Sequence, residues 1–89
     1  DYSILTVYFP NGGKNEEAWD QKLIFYKKFL EYMQFLQTTD GGNKTVIFSG
    51  DVNVCHQEID IARPKQNDGK IGFHPLERKE ITNWIKAGF

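Results

Sequence analysis

An acid and an amide stand two residues apart in Gly50-Asp51-Val52-Asn53, directly after an apolar run through Val46, Ile47 and Phe48. A carboxylate beside a carboxamide suits a hard cation and a phosphate: the acid can hold a metal or take a proton from water. The amide can donate to a phosphoryl oxygen without adding a competing negative charge. The apolar run, residues 45–48, has the length and β-branched character of a buried strand. A strand alternates its faces, so Asp51 and Asn53 point the same way if the backbone stays extended beyond the strand. Gly50 lets the chain turn, or approach a ligand closely, where the strand ends. The same four residues also suit an ordinary turn.

Other elements must position this pair. Residues 4–8 form a short β-branched and aromatic run stopped by Pro10 and the turn-forming Asn11-Gly12-Gly13. Over residues 19–37 the apolar spacing becomes helical, with Leu23, Tyr26, Leu30, Met33 and Phe35-Leu36 at steps of three and four. Glu16, Glu17 and Asp20 suit the positive end of that helix, and Asp40-Gly41-Gly42-Asn43 ends it. Strand, helix, strand predicts a βαβ-like unit of the α/β class, a sheet covered by helices. Residues 54–73 are polar, interrupted by proline and without periodicity, which reads as a long functional loop. Pro75 then opens a last helix with Ile81, Trp84 and Ile85 on one face and Gly88 as its stop.

The aromatic residues, 15% of the chain, need no special function to explain them. Phe25, Tyr26, Phe29, Tyr32 and Phe35 lie on or around the first helix and are expected to pack on the sheet. Tyr8 and Phe73, carried on loops, are better placed for substrate contact. His56 and Asp60 are a tempting metal pair, but they sit in a proline-bounded loop and read as its support. His74, just before Pro75, reads as a helix cap or a solvent-facing residue.

Eighty-nine residues fit one small domain with a modest core. The formal net charge is −1, so no basic surface announces a nucleic acid, and near-neutrality does not exclude one. The lone Cys55 rules out an internal disulfide, is compatible with a reducing interior, and reads as a small buried residue. No apolar run approaches membrane-spanning length.

Four blocks carry a resemblance: Val7-Tyr8-Phe9-Pro10-Asn11-Gly12-Gly13, then Gly50 through Asp60, then Arg63-Pro64-Lys65-Gln66-Asn67, then Gly72-Phe73-His74-Pro75-Leu76-Glu77-Arg78. In this order and at these separations they resemble the exonuclease III family of abasic-site endonucleases. That family lies within the endonuclease/exonuclease/phosphatase superfamily, related in fold to DNase I. The resemblance implies a DNase I-like four-layer α/β sandwich, of which residues 1–89 are a central portion, because family members are much longer. It implies a Mg²⁺- or Mn²⁺-dependent nuclease that cuts duplex DNA 5′ to abasic sites and trims or cleans 3′ ends. The parent is expected to be a monomer with no membrane association, cytoplasmic in a bacterium or nuclear in a eukaryote.

Residue by residue, the resemblance makes Tyr8, Asp51 and Asn53 catalytic. Tyr8 donates toward the phosphate, Asp51 is the general acid/base beside the metal, and Asn53 contacts the scissile phosphate. Asp51 and Asn53 are also the expected metal-side residues. Asn11 and Asn67 match DNA-contacting asparagines, and Phe73 resembles a residue near the family's pocket. Lys14 falls where some relatives carry an arginine that enters DNA; lysine keeps the charge and loses the planar fork. Lys70 stands where relatives often have asparagine, so no role carries over. A metal-binding Glu and an Asp-His pair of the family lie outside these residues, so the 89-residue piece alone is expected to be inactive. The alternatives are a superfamily phosphatase or phosphodiesterase acting on inositol phosphates or lipids, and a catalytically dead DNA-binding relative.

Overall fold

The computed structural model describes residues 2–38 and 45–89. Strand β1 (Tyr2–Thr6), helix α1 (Glu16–Thr38) and strand β2 (Thr45–Ser49) form the expected unit, and the two strands pair in parallel from Tyr2↔Thr45 to Thr6↔Ser49. Strand β1 lies two residues earlier than the apolar run indicates. Beyond it, Val7 N–H still donates to Ser49 C=O at 3.0 Å, so the pairing persists where the regular strand has ended. A single turn of 3₁₀ helix (Glu58–Asp60) and the short helix α2 (Pro64–Asn67) interrupt the long loop, and α3 (Pro75–Lys86) closes the chain. The turn at 40–43 lies outside the described residues.

Helix α1 starts three residues before the periodicity does. Asn15 Oδ1 accepts from Ala18 N–H at 2.8 Å, satisfying one of the free donors of the first turn, where Glu16 and Glu17 face the positive end of the helix dipole. Its buried stripe is Lys22, Tyr26, Phe29 and Met33, rotated from the run expected through Leu23 and Leu30. Tyr32 and Phe35 are exposed, against expectation, because they fall on the far side of that stripe from the sheet. At α3, His74 caps as expected: its Nδ1 accepts from Leu76 N–H at 3.1 Å, while Glu77 reaches back to the His74 N–H.

One face of the sheet, through Leu5, Val46 and Phe48, packs on a core of Phe9, Tyr26, Phe29, Met33 and Trp84. The opposite face leaves Tyr2, Ile4 and Ile47 exposed, with nothing covering them among the described residues. A two-stranded sheet with an open apolar face favours association. Sedimentation of the 89-residue chain is accordingly expected to show self-association that Ile4→Lys weakens, and a clean monomer would contradict it. No helix among the described residues is long and apolar enough to cross a membrane.

Candidate active site

The two site carriers meet at the carboxyl end of the parallel strands, the usual place for ligands on an open α/β sheet. Gly50 makes this possible. Its φ is 145°, and a Cβ there would lie 2.0 Å from the Val7 carbonyl oxygen. Only glycine lets the chain after β2 pass so close to the chain after β1.

Asp51 and Asn53 are not aligned by strand alternation. The strand stops at Ser49, and Asn53 adopts a left-handed conformation with φ 55°. The pair is instead closed by a local turn in which Asn53 N–H donates to Asp51 Oδ1 at 2.9 Å. Asparagine tolerates the left-handed region better than other L-residues, for which it costs about 1–2 kcal/mol. The amide of Asn53 then reaches across, Nδ2 donating to the Phe9 carbonyl at 2.7 Å. One amide hydrogen and Oδ1 stay available to a ligand.

Asp51, Asn53, Asn11 and Asn67 line one open cavity of about 340 Å³, whose apolar wall includes Ile61 and Ile71. Four of the expected site residues, from three separate sequence blocks, are thereby brought together. Asn11 Oδ1 accepts from Gly13 N–H at 3.1 Å, which shapes the turn and leaves its amide hydrogens to donate outward. Asn67 is used differently. Its Nδ2 donates to the Ala62 and Arg63 carbonyls at 2.9 and 3.1 Å, holding the loop around Arg63, itself left-handed at φ 53°. Only its Oδ1 remains for a ligand, an acceptor that cannot donate to a phosphate.

Tyr8 is 92% exposed, so its phenol is presented to solvent and is no part of the core, although it does not line the cavity. Lys14 is exposed and makes no ion pair among the described residues, as suits a phosphate-attracting cation. Phe73 corrects an expectation: it is 2% exposed, with the Arg78 guanidinium 4.2 Å above its ring, and so serves packing and not substrate contact. Loop position suggested access, but the ring turns inward under α3. His56 and Asp60 act as loop supports. His56 Nε2 pairs with Thr82 Oγ1 at 2.8 Å and Asp60 Oδ2 accepts from Gln57 N–H at 2.8 Å. Cys55 Sγ donates to the Asp60 carbonyl at 3.3 Å.

Beneath the cavity lie residues that motif reading passed over. Tyr26 donates its hydroxyl to the Val52 carbonyl at 2.5 Å, between the two site residues. Burial, and then the negative charges of Glu77 and Asp51, push that phenol well above its ordinary value, so it stays protonated as the donor. Lys22 and Glu77 form a fully buried ion pair. Removing one partner of such a pair strands a charge, at about 3–5 kcal/mol. The available signal was a lysine at the first position of the 22-26-29-33 stripe, where an apolar residue is the norm.

Asp51 offers a carboxylate oxygen unbonded among the described residues, and Asn53 offers Oδ1; both are hard oxygen donors that fit a cation of the Mg²⁺ type. Among the described residues, however, no group of three or more His, Cys, Asp or Glu could hold a metal. This chain therefore provides part of a ligand set at most.

Arrangement and topology place an acid–amide cluster at the strand ends of an α/β fold. An AP endonuclease from Archaeoglobus fulgidus superposes with a TM-score of 0.81 at 25% identity, over 99% of this chain and 34% of that one. The fold is a portion of the DNase I-like α/β sandwich. In sequence the chain is 38% identical over 86 residues to an exodeoxyribonuclease of Bacillus subtilis, and 35% identical over 89 residues to the DNA repair nuclease APEX1 of Danio rerio. These alignments take in 97% and 100% of this chain but only 32% and 27% of the relatives, so the chain spans about a third of their length or less. No family model matches. The resemblance to the exonuclease III family is borne out over the full chain.

Proposed function

We propose that this chain is the central segment of a DNA repair nuclease that hydrolyses phosphodiester bonds 5′ to abasic sites in duplex DNA and trims or cleans 3′ ends. The observation that carries the reading is the shared cavity of Asp51, Asn53 and Asn11 at the strand ends, within a chain similar throughout to exodeoxyribonucleases. In this reading Asn11 and Asn53 donate amide hydrogens to the phosphate and orient it. Asp51 takes a proton from the attacking water or returns one to the departing oxygen. Tyr8, exposed to solvent, donates its phenolic hydrogen to charge developing on the phosphoryl group, and Lys14 draws in the DNA backbone. Mg²⁺ or Mn²⁺, held on one side by Asp51 with Asn53 beside it, would neutralise the phosphoryl charge. The remaining ligands and the family's Asp-His pair come from outside residues 1–89, so the isolated segment is inactive. The parent acts as an intracellular monomer.

The test is incision of a duplex carrying one abasic site by the full-length protein with Mg²⁺, wild type beside Asp51→Ala. The wild type is expected to nick the strand and the variant to lose about 10²–10⁴-fold in rate. Inactive wild type that still binds the duplex would identify a DNA-binding relative instead. Neither cutting nor binding would turn attention to inositol phosphates and lipid phosphodiesters.

A further inference from the structure

The site's two turns have one common support, and it is not among the residues that face the cavity. Lys22 rises from α1 with its side chain fully buried, and its Nζ donates to the Asn53 carbonyl at 2.7 Å. Gly12, in the turn that carries Asn11, lies directly against the aliphatic stem: a Cβ at Gly12 would come within 2.7 Å of Lys22 Cδ. The ammonium also pairs with Glu77 Oε2. Glu77 Oε1 accepts from Gly72 N–H at 2.8 Å and from His74 N–H at 3.1 Å, which anchors the end of the loop that lines the far side of the cavity. One buried ion pair therefore touches the Asn11 turn, the Asn53 turn and the Gly72–His74 end of the loop.

We propose that Lys22 and Glu77 are positioning residues for phosphodiester hydrolysis: their buried pair holds Asn53 in its left-handed turn, and with it the aim of the Asn53 amide and the Asp51 carboxylate. The physical argument concerns the carbonyl of Asn53. A left-handed residue returns to an extended or right-handed conformation unless its surroundings over-determine it. Asn53 is held through its N–H by Asp51, its Nδ2 by Phe9 and its C=O by Lys22. The first two of these are made by the site's own turns. Lys22 alone ties Asn53 to a helix, and Glu77 holds that ammonium in direction where no water reaches it. Neither side chain lines the cavity, so each acts through Asn53 and not on the substrate.

This inference rests on the proposed phosphate-directed role of Asn53. Its test is a double-mutant cycle in the full-length protein, because a charge-stranding single change such as Lys22→Met can fail simply by unfolding. The paired replacement Lys22→Met with Glu77→Gln removes the ion pair without leaving a lone buried charge. It is expected to lower kcat on an abasic duplex about 10- to 100-fold, as a displacement near 1 Å does, with KM changed by less than about threefold. Placed on Asn53→Ala, the same paired replacement is expected to lower kcat by less than about threefold further, because the residue it acts through is gone. Multiplying effects in the combined variant would overturn the proposal, as would a paired variant with wild-type kcat. The crystal structure of the paired variant gives a readout independent of activity. Asn53 leaving the left-handed region supports the assignment, and Asn53 unmoved refutes it. If the wild type does not cut abasic DNA, the functional reading falls by itself and the positional claim is decided by that structure.

Discussion

Gly50→Ala is expected to abolish incision by the full-length protein and to destabilise it by about 3 kcal/mol or more, read as a drop of several degrees in a thermal scan. The added methyl would lie 2.0 Å from the Val7 carbonyl oxygen, and that neighbour is backbone, not the end of a flexible side chain. Relief requires the segments after β1 and β2 to part, which breaks the bond from Val7 N–H to Ser49 C=O and moves Asp51 away from the Phe9–Asn11 turn. Gly69→Ala is the control. Its φ of 82° is similarly unsuited to alanine, but nothing lies within 4 Å of the added atom. It should lose only about 1 kcal/mol and retain activity. Equal behaviour of the two variants would show that conformation, and not the close approach of the two strand ends, is what glycine provides at position 50.

Trp84→Ala is expected to cost about 3–5 kcal/mol, measured by urea denaturation of the full-length protein. Trp84 is 3% exposed, and its ring centroid lies 5.5–5.7 Å from those of Phe9, Tyr26, Phe29 and Phe48. Through this side chain α3 contacts helix, sheet and site turn at once, and its Nε1–H donates to the Tyr26 carbonyl at 3.1 Å. Trp84→Phe keeps an aromatic surface and should lose clearly less. The consequence reaches function because Phe9 belongs to this cluster and its carbonyl receives the Asn53 amide. A Trp84→Ala protein that remains folded should therefore incise more slowly than its folded fraction explains. A rate proportional to folded protein would mean that Phe9 holds its place without the tryptophan.

The elements of this chain were legible because their causes are local. Apolar spacing marks α1, Pro75 and His74 mark the start of α3, and the 45–48 run marks β2; each signal lies within a few residues of the structure it produces. The motif residues were legible for a related reason, since Asp51 and Asn53 owe their chemistry to their own functional groups. By itself the sequence determined a βαβ-like unit, a polar loop and an acid–amide pair fit for phosphate chemistry. Only the tertiary structure decided how that pair is held. The turn that aims Asn53 depends on a carbonyl 44 positions away and a lysine 31 positions away, and that lysine on a glutamate 55 positions away. It likewise turned Phe73 into the core and gave the Asn67 amide to its own loop. Such assignments turn on which group occupies a buried volume or meets a hydrogen-bond partner first, and no periodicity or spacing along the chain records that.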